Sequence, residues 1–159
     1  MSLPAVRMPE REDEPEWLRL RRALWPECAA DQHEVDMGTL IADADRAAVF
    51  VTPAAQREGL AGFVELALRP WLEGARGCPV AVIEALYVAP EERGHGAGQA
   101  LLAAAEAWAR ERGATVIVSE TKLDNESGRA LHARLGYEEA STRVRMQKGI
   151  TPVDDGEPE

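Results

Sequence analysis

The sequence predicts an α/β protein, a mixed β-sheet with helices on both faces. Three observations predict it. Three consecutive strand patterns are followed by alternating helix and strand patterns. The segment Val80–Val88 reads as an apolar strand interrupted by one carboxylate, Glu84. A glycine-rich segment, Arg93–Gly98, leads into a strongly periodic helix.

Ala5–Met8 predicts a short first strand. Pro15 stands where a helix begins, and Trp17, Leu20 and Leu24 follow at helical spacing until Pro26. Asp31 with Glu34 three residues on predicts a capped second helix running to about Ala44. Ala47–Thr52 is a strand, and 56–59 a turn. Leu60–Leu68 is the next strand, with Val64, Leu66 and Leu68 on one face and Phe63, Glu65 and Ala67 on the other. Arg69–Cys78 is a loop, and Pro90 stops the strand Val80–Val88.

The helix after the glycines carries the core stripe Leu101, Leu102, Ala105, Trp108 and Ala109, with Gly113 past its end. Thr115–Ser119 is a buried strand, Asn125–Leu135 a short helix, and Tyr137–Lys148 a final strand. The expected order is β-α-α-β-β-β-α-β-α-β. One domain covers 1–150, and 151–159 is an acidic tail expected to be disordered.

A length of 159 residues suits one domain. No apolar run approaches a membrane span, and the N-terminus shows no apolar signal core, so a soluble cytoplasmic protein is expected. Cys28 and Cys78 lack paired spacing, and His33, His95 and His132 lack metal-ligand spacing, so no metal is expected. The formal net charge of -10 argues against nucleic-acid and anionic-membrane partners and suits a cationic one. The acidic runs at 11–16 and 154–159 are expected to be solvated.

Glycines at a strand-to-helix junction let backbone N–H groups and the helix dipole face an anion, and phosphate or pyrophosphate is the natural ligand. A P-loop needs Gly-Lys-Ser/Thr, which Gly98-Gln99-Ala100 does not supply. A dinucleotide fingerprint needs a third glycine where Gln99 stands, and it needs a doubly wound sheet. A ligand-free glycine helix start is the bland alternative.

The pattern Arg93-x-x-Gly96-x-Gly98, behind Leu86-Tyr87-Val88-x-Pro90-Glu91-x-Arg93, resembles the coenzyme A loop of GNAT acetyltransferases. The resemblance spans about 5–148. It implies acetyl-CoA as cosubstrate, with Leu86, Tyr87 and Val88 along the pantetheine arm and acetyl group. Arg93, Gly94, His95, Gly96, Ala97, Gly98 and Gln99 would surround the pyrophosphate. Asn125 matches the asparagine that touches CoA near its thiol, in a stretch where Gly128 replaces the usual Ala and His132 the usual Tyr.

Trp17-x-x-Leu20-Arg21, Leu24-Trp25-Pro26, His33-Glu34, Gly62-Phe63-x-Glu65, Glu120-Thr121 and Leu135-Gly136-Tyr137-Glu138 are similar to the aminoglycoside 6'-N-acetyltransferase branch. That resemblance implies a substrate site formed by Trp25, Glu65, Trp71, Glu84 and Glu120, and a homodimer.

Acetyl transfer to an amine needs a proton acceptor, a polarised thioester carbonyl and a proton for the departing thiolate. Glu84 is the candidate base, since apolar neighbours would desolvate its carboxylate; an exposed strand face is the alternative. Glu120, at a strand end, is a candidate partner for an ammonium group. His132 is a candidate proton donor to the thiolate, against the alternative of a surface histidine. Trp25 and Trp71 can stack on sugars or attract ammonium groups, while Trp17 and Trp108 read as core. Direct transfer in a ternary complex is expected, because neither cysteine is placed for a covalent intermediate. The rivals are a GNAT enzyme for another amine, a CoA- or aminoglycoside-binding module without turnover and, more remotely, a Rossmann-like nucleotide binder.

Overall fold

The computed structural model describes residues 2–151. Strands Ala47–Pro53 (β1), Leu60–Arg69 (β2), Val80–Val88 (β3) and Val116–Ser119 (β4) lie side by side in chain order. β1 and β3 each run antiparallel to β2, which lies between them. β4 joins β3 in parallel, after a crossover through the helix Ala97–Glu111 (α3). The sheet is therefore mixed, as the element order predicts.

The helices Glu14–Leu24 (α1) and Ala30–Ala42 (α2) cover one face, through Trp17, Leu20 and Met37 packed on Phe63, Val49 and Val51. α3 and the helix Glu126–Arg134 (α4) cover the other face. There Leu101, Leu102, Ala105 and Trp108 meet Val64 and Leu66, with Leu131 alongside. The alternation along β2 sorts these layers, with Phe63 and Glu65 toward α1 and Val64 and Leu66 toward α3. Among the described residues, no helix is long and apolar enough to cross a membrane.

Four expectations are corrected. The strand at Ala5–Met8 shrinks to one antiparallel bridge, in which Arg7 exchanges hydrogen bonds of 3.0 and 2.8 Å with Val51. Pro4 and Pro9 flank it, and each lacks the N–H a longer ladder needs. α2 has Ala29, not Asp31, at its cap; the Asp31 carboxylate accepts from the neighbouring Gln32 amide instead. The expected strand Tyr137–Lys148 has no regular structure, and 138–151 is exposed, because no sheet edge of this chain runs beside it.

The fourth correction concerns the acidic run at 11–16. It forms a 3-10 turn, Arg11–Asp13, and the first turn of α1. Asp13 accepts from Arg7 and from the Glu10 amide. Glu16 accepts from Arg19, from Arg57 and from the Leu60 amide, which ties α1 to the start of β2. The run at 154–159 lies outside the described residues, and of the expected tail only Thr151 is described.

The Arg19 hydrogen bond, with those of Leu60 and Arg57, holds the Glu16 carboxyl down at about 2, from an ordinary value of 4.5. A carboxyl depressed on folding contributes stability above its unfolded value and loses it as pH falls toward the folded one. Glu16→Gln is therefore expected to lower the melting temperature at neutral pH and to flatten part of the stability loss between pH 4.5 and about 2. Thermal unfolding followed across that range checks it; parallel wild-type and variant curves would contradict it.

Candidate active site

β3 and β4 pair only from Val80↔Val116 to Ile83↔Ser119, while β3 runs on to Val88. Beyond Ile83 the β3 edge has no β4 partner, so the sheet opens along Glu84–Val88. Its other edge stays bonded to β2, but the register slips: Glu65 faces Ala85, Leu66 faces Ile83, and Glu84 is the extra residue of a β-bulge. The bulge turns the Glu84 side chain outward between buried Ile83 and Ala85. The expectation of a desolvated lone carboxylate is corrected: Glu84 is 40% exposed, and Arg69 donates to its Oε1 at 3.0 Å.

The glycine segment follows β3 through a 3-10 turn, Pro90–Glu92. Gly94 and Gly96 have φ of +85° and +86°, a region that L side chains rarely adopt, and Gly96 is the left-handed cap of α3. The Ala100 amide is the first of the helix to donate, to Gly96, so those of Ala97, Gly98 and Gln99 have no intrahelical acceptor. No side chain caps them. This start of a fifteen-residue helix fits a pyrophosphate. Arg93 folds back beneath it, donating Nε–H to the Val88 carbonyl at 2.9 Å and lying 5.7 Å from the Tyr87 ring centre. The His95 side chain is exposed.

Beside the bulge lies a cavity of about 330 Å³, lined by Arg21, Trp25, Cys28, Asp36, Leu40, Glu65 and Glu84. It brings together three residues of the expected substrate set, Trp25, Glu65 and Glu84. Glu65 is only 3% exposed, and both of its oxygens accept from Arg21 Nη1, at 2.6 and 2.7 Å. Trp17 Nε1 donates to Oε2 at 2.9 Å. Burial pushes the Glu65 carboxyl above the usual range, while Arg21 and Trp17 pull it back. Trp71, 70% exposed in the β2–β3 loop, and Glu120, exposed just past β4, do not line this cavity.

Asn125 caps α4. Its Oδ1 accepts from the Gly128 amide at 3.1 Å, and its Nδ2 donates to Thr121 at 3.0 Å. A Cβ at residue 128 would sit 2.4 Å from that Nδ2, so an alanine there would shift the Asn125 side chain. His132 is half-buried. Its Nδ1 donates to the Gly128 carbonyl at 2.7 Å, which leaves Nε2 to accept from Ser119 Oγ at 2.9 Å. Ser119 is the last β4 residue before the sheet opens. Tyr137 packs edge-on against the His132 ring, and burial pushes its phenol upward.

Sequence reasoning missed Arg21, Asp36 and Ser119. A signal existed for Arg21: positions 17, 20, 21 and 24 form one helical stripe, so a charged residue stands on the buried face of α1.

Residues 14–137 match the acetyltransferase (GNAT) family. The chain is 38% identical over 142 residues to an aminoglycoside N(6')-acetyltransferase type 1 of Klebsiella aerogenes, covering 88% of this chain and 93% of that one. It is 35% identical to that of Stenotrophomonas maltophilia, covering 95% and 97%. It also superposes on the structure of AAC(6')-Iy in complex with the bisubstrate analogue CoA-S-monomethyl-acetylneamine. That match has a TM-score of 0.82 and 27% identity, and covers 94% of this chain and 100% of the other. With its opened β3–β4 pair and its glycine-capped helix, the chain belongs to the GNAT family of acetyltransferases, on the branch of the aminoglycoside N(6')-acetyltransferases.

Proposed function

We propose that this protein transfers the acetyl group of acetyl-CoA to the 6'-amine of an aminoglycoside, by direct transfer in a ternary complex, in the cytoplasm. One observation carries the reading. The outward Glu84 of the β3 bulge is shared between the opened β3 edge and a cavity walled by Trp25 and carboxylates. A polycationic, sugar-like acceptor complements such a cavity, and the relatives' names agree with that choice. The net charge of -10 likewise supports a small cationic partner over nucleic acid or an anionic membrane.

Acetyl-CoA supplies the thioester. Ala97, Gly98 and Gln99 hold its pyrophosphate through backbone N–H groups, with Arg93, Gly94, His95 and Gly96 shaping the loop. Leu86, Tyr87 and Val88 carry the pantetheine arm along the β3 edge that lacks a β4 partner, where a backbone N–H polarises the thioester carbonyl. Asn125 frames the thiol end through the α4 cap.

Glu84 receives the amine proton, directly or through a water, on its Oε2, since Arg69 occupies Oε1. Trp25 stacks on the acceptor. Glu120 and Trp71 serve only an acceptor long enough to leave the cavity. For the departing thiolate, the His132 ring stands behind Ser119: with the ring doubly protonated, Nδ1–H stays on the Gly128 carbonyl and the Nε2 proton passes to Ser119 Oγ as the Ser119 hydroxyl proton passes to sulfur.

The protein acts as a homodimer. The outer edge of β4 has no strand partner among the described residues, and 138–150 keeps the alternation of a strand without a sheet to join. Val144 and Met146 are 80% and 87% exposed, between Arg143, Arg145 and Gln147. A second copy offers the missing partner.

The first test is release of free CoA thiol from acetyl-CoA with purified protein and a panel of kanamycin, tobramycin and a 6'-hydroxyl analogue. Release stimulated by the 6'-amino compounds alone is expected. Silence across the panel while acetyl-CoA still binds would move the acceptor to another amine or leave a binding module. Glu84→Gln is expected to lower kcat/KM by about a hundredfold, the scale of a lost general base; unchanged turnover removes Glu84 from the mechanism. For the dimer, light scattering should give twice the chain mass for the full protein and the single mass after deletion of 140–159. A monomeric full-length protein refutes it.

A further inference from the structure

One wall of the acceptor cavity is a cluster of charged and polar side chains that proton transfer does not use. Arg21, His33 and Glu65 are 3%, 0% and 3% exposed. Arg21 Nη1 is held by Glu65, its Nε–H donates to His33 Nδ1 at 3.2 Å, and its Nη2 lies 3.4 Å from Asp36. A guanidinium nitrogen only donates, so His33 Nδ1 accepts and Nε2 carries the ring hydrogen. That Nε2–H points at the Trp25 carbonyl, 3.3 Å away.

Trp25 has just left α1, with φ of -127° and ψ of 71°. Its backbone is held by its own amide on the Arg21 carbonyl and by the His33 and Cys28 donors on its carbonyl. Its ring packs against both the Arg21 guanidinium, 5.0 Å from the centroid, and the His33 ring, stacked at 6.4 Å and 17°.

We propose that the Arg21–His33–Glu65 cluster is the positioning element of the acceptor site, fixing the Trp25 ring as its aromatic wall. The proposal rests on the aminoglycoside reading for the identity of the acceptor. Glu65 thereby changes role. Its oxygens are taken by Arg21 and Trp17, so it neutralises the buried guanidinium instead of binding substrate. Without that neutralisation Arg21 would repel a polycation at the cavity wall. His33 works through Trp25 and touches no reacting atom.

Glutamine offers one acceptor and one donor, as this imidazole does; phenylalanine keeps a ring and offers neither. Relative to wild type, His33→Phe should raise KM for the aminoglycoside about tenfold, the scale of a buried polar group left unpartnered. KM for acetyl-CoA should stay within about twofold and kcat within about threefold, since hydrogen bonds remote from the chemistry act on binding. His33→Gln should recover most of the aminoglycoside KM. Arg21→Lys, which keeps the charge but loses Nε–H and the planar face, should behave like His33→Phe.

Acrylamide quenching of tryptophan fluorescence, with Trp25→Phe to identify the Trp25 contribution, should show Trp25 more accessible in His33→Phe and in Arg21→Lys than in wild type. Where one variant fails to fold, the other decides. Equal rises in both KM values, an aminoglycoside KM that does not move, or a His33→Gln as impaired as His33→Phe would overturn the proposal. A wild type silent on every aminoglycoside defeats the substrate reading alone; unchanged Trp25 quenching in the variants then overturns the positioning role separately.

Discussion

Strand β3 has two neighbours of different reach. β2 follows it along its whole length, while β4 follows it only as far as Ile83. The sheet accommodates this with one extra residue, Glu84. The bulge keeps Ile83 and Ala85 buried on either side of it and leaves the rest of the strand without a β4 neighbour. An opened parallel pair exposes unpaired backbone groups that a linear ligand can satisfy, which a complete sheet could not do. The outward carboxylate and the opened β3 edge, which is the slot proposed for the cosubstrate arm, accompany this mismatch, and the glycine-capped α3 follows β3 in the chain.

The substrate side depends on a different balance. The cavity proposed for a cationic acceptor is lined by a cation, Arg21, which is matched by Glu65 where it is buried. Removing either member of such a pair leaves an uncompensated charge in the interior, at a cost of about 3–5 kcal/mol. The charges that stay accessible around the cavity are Asp36, 44% exposed, and Glu84, 40% exposed and shared with Arg69. Glu65 also lines the cavity, but it is 3% exposed and its oxygens are taken by Arg21 and Trp17.

The order of elements was legible because each left a local signal: alternation in β2, an apolar run in β3, the 101–109 stripe in α3 and Pro15 at the start of α1. The misses share a physical cause, since each depends on a partner distant in sequence. Residues 137–148 have strand composition but pair with no strand of the sheet, and residues 5–8 reach the β1 edge at Arg7 alone. The acidic run at 11–16 reads as solvated until Arg7, Arg19 and Arg57 are brought to it. Glu84 reads as buried because periodicity cannot show a bulge. Nothing near Glu65 in sequence reveals that Arg21 and Trp17 of α1 take up its oxygens.

Two departures from the family pattern, Gly128 and His132, meet in α4 beside the Asn125 cap that follows it. Asn125 folds its side chain over its own first turn, into the space a Cβ at residue 128 would occupy. The glycine carbonyl in turn accepts the Nδ1 hydrogen of His132, which fixes the ring tautomer and turns Nε2 to Ser119 on β4. A tyrosine has one polar atom and could not bridge both contacts. With histidine the link between α4 and β4 becomes a two-ended hydrogen-bonded connection, from the Gly128 carbonyl to the hydroxyl of Ser119, the last β4 residue that pairs with β3.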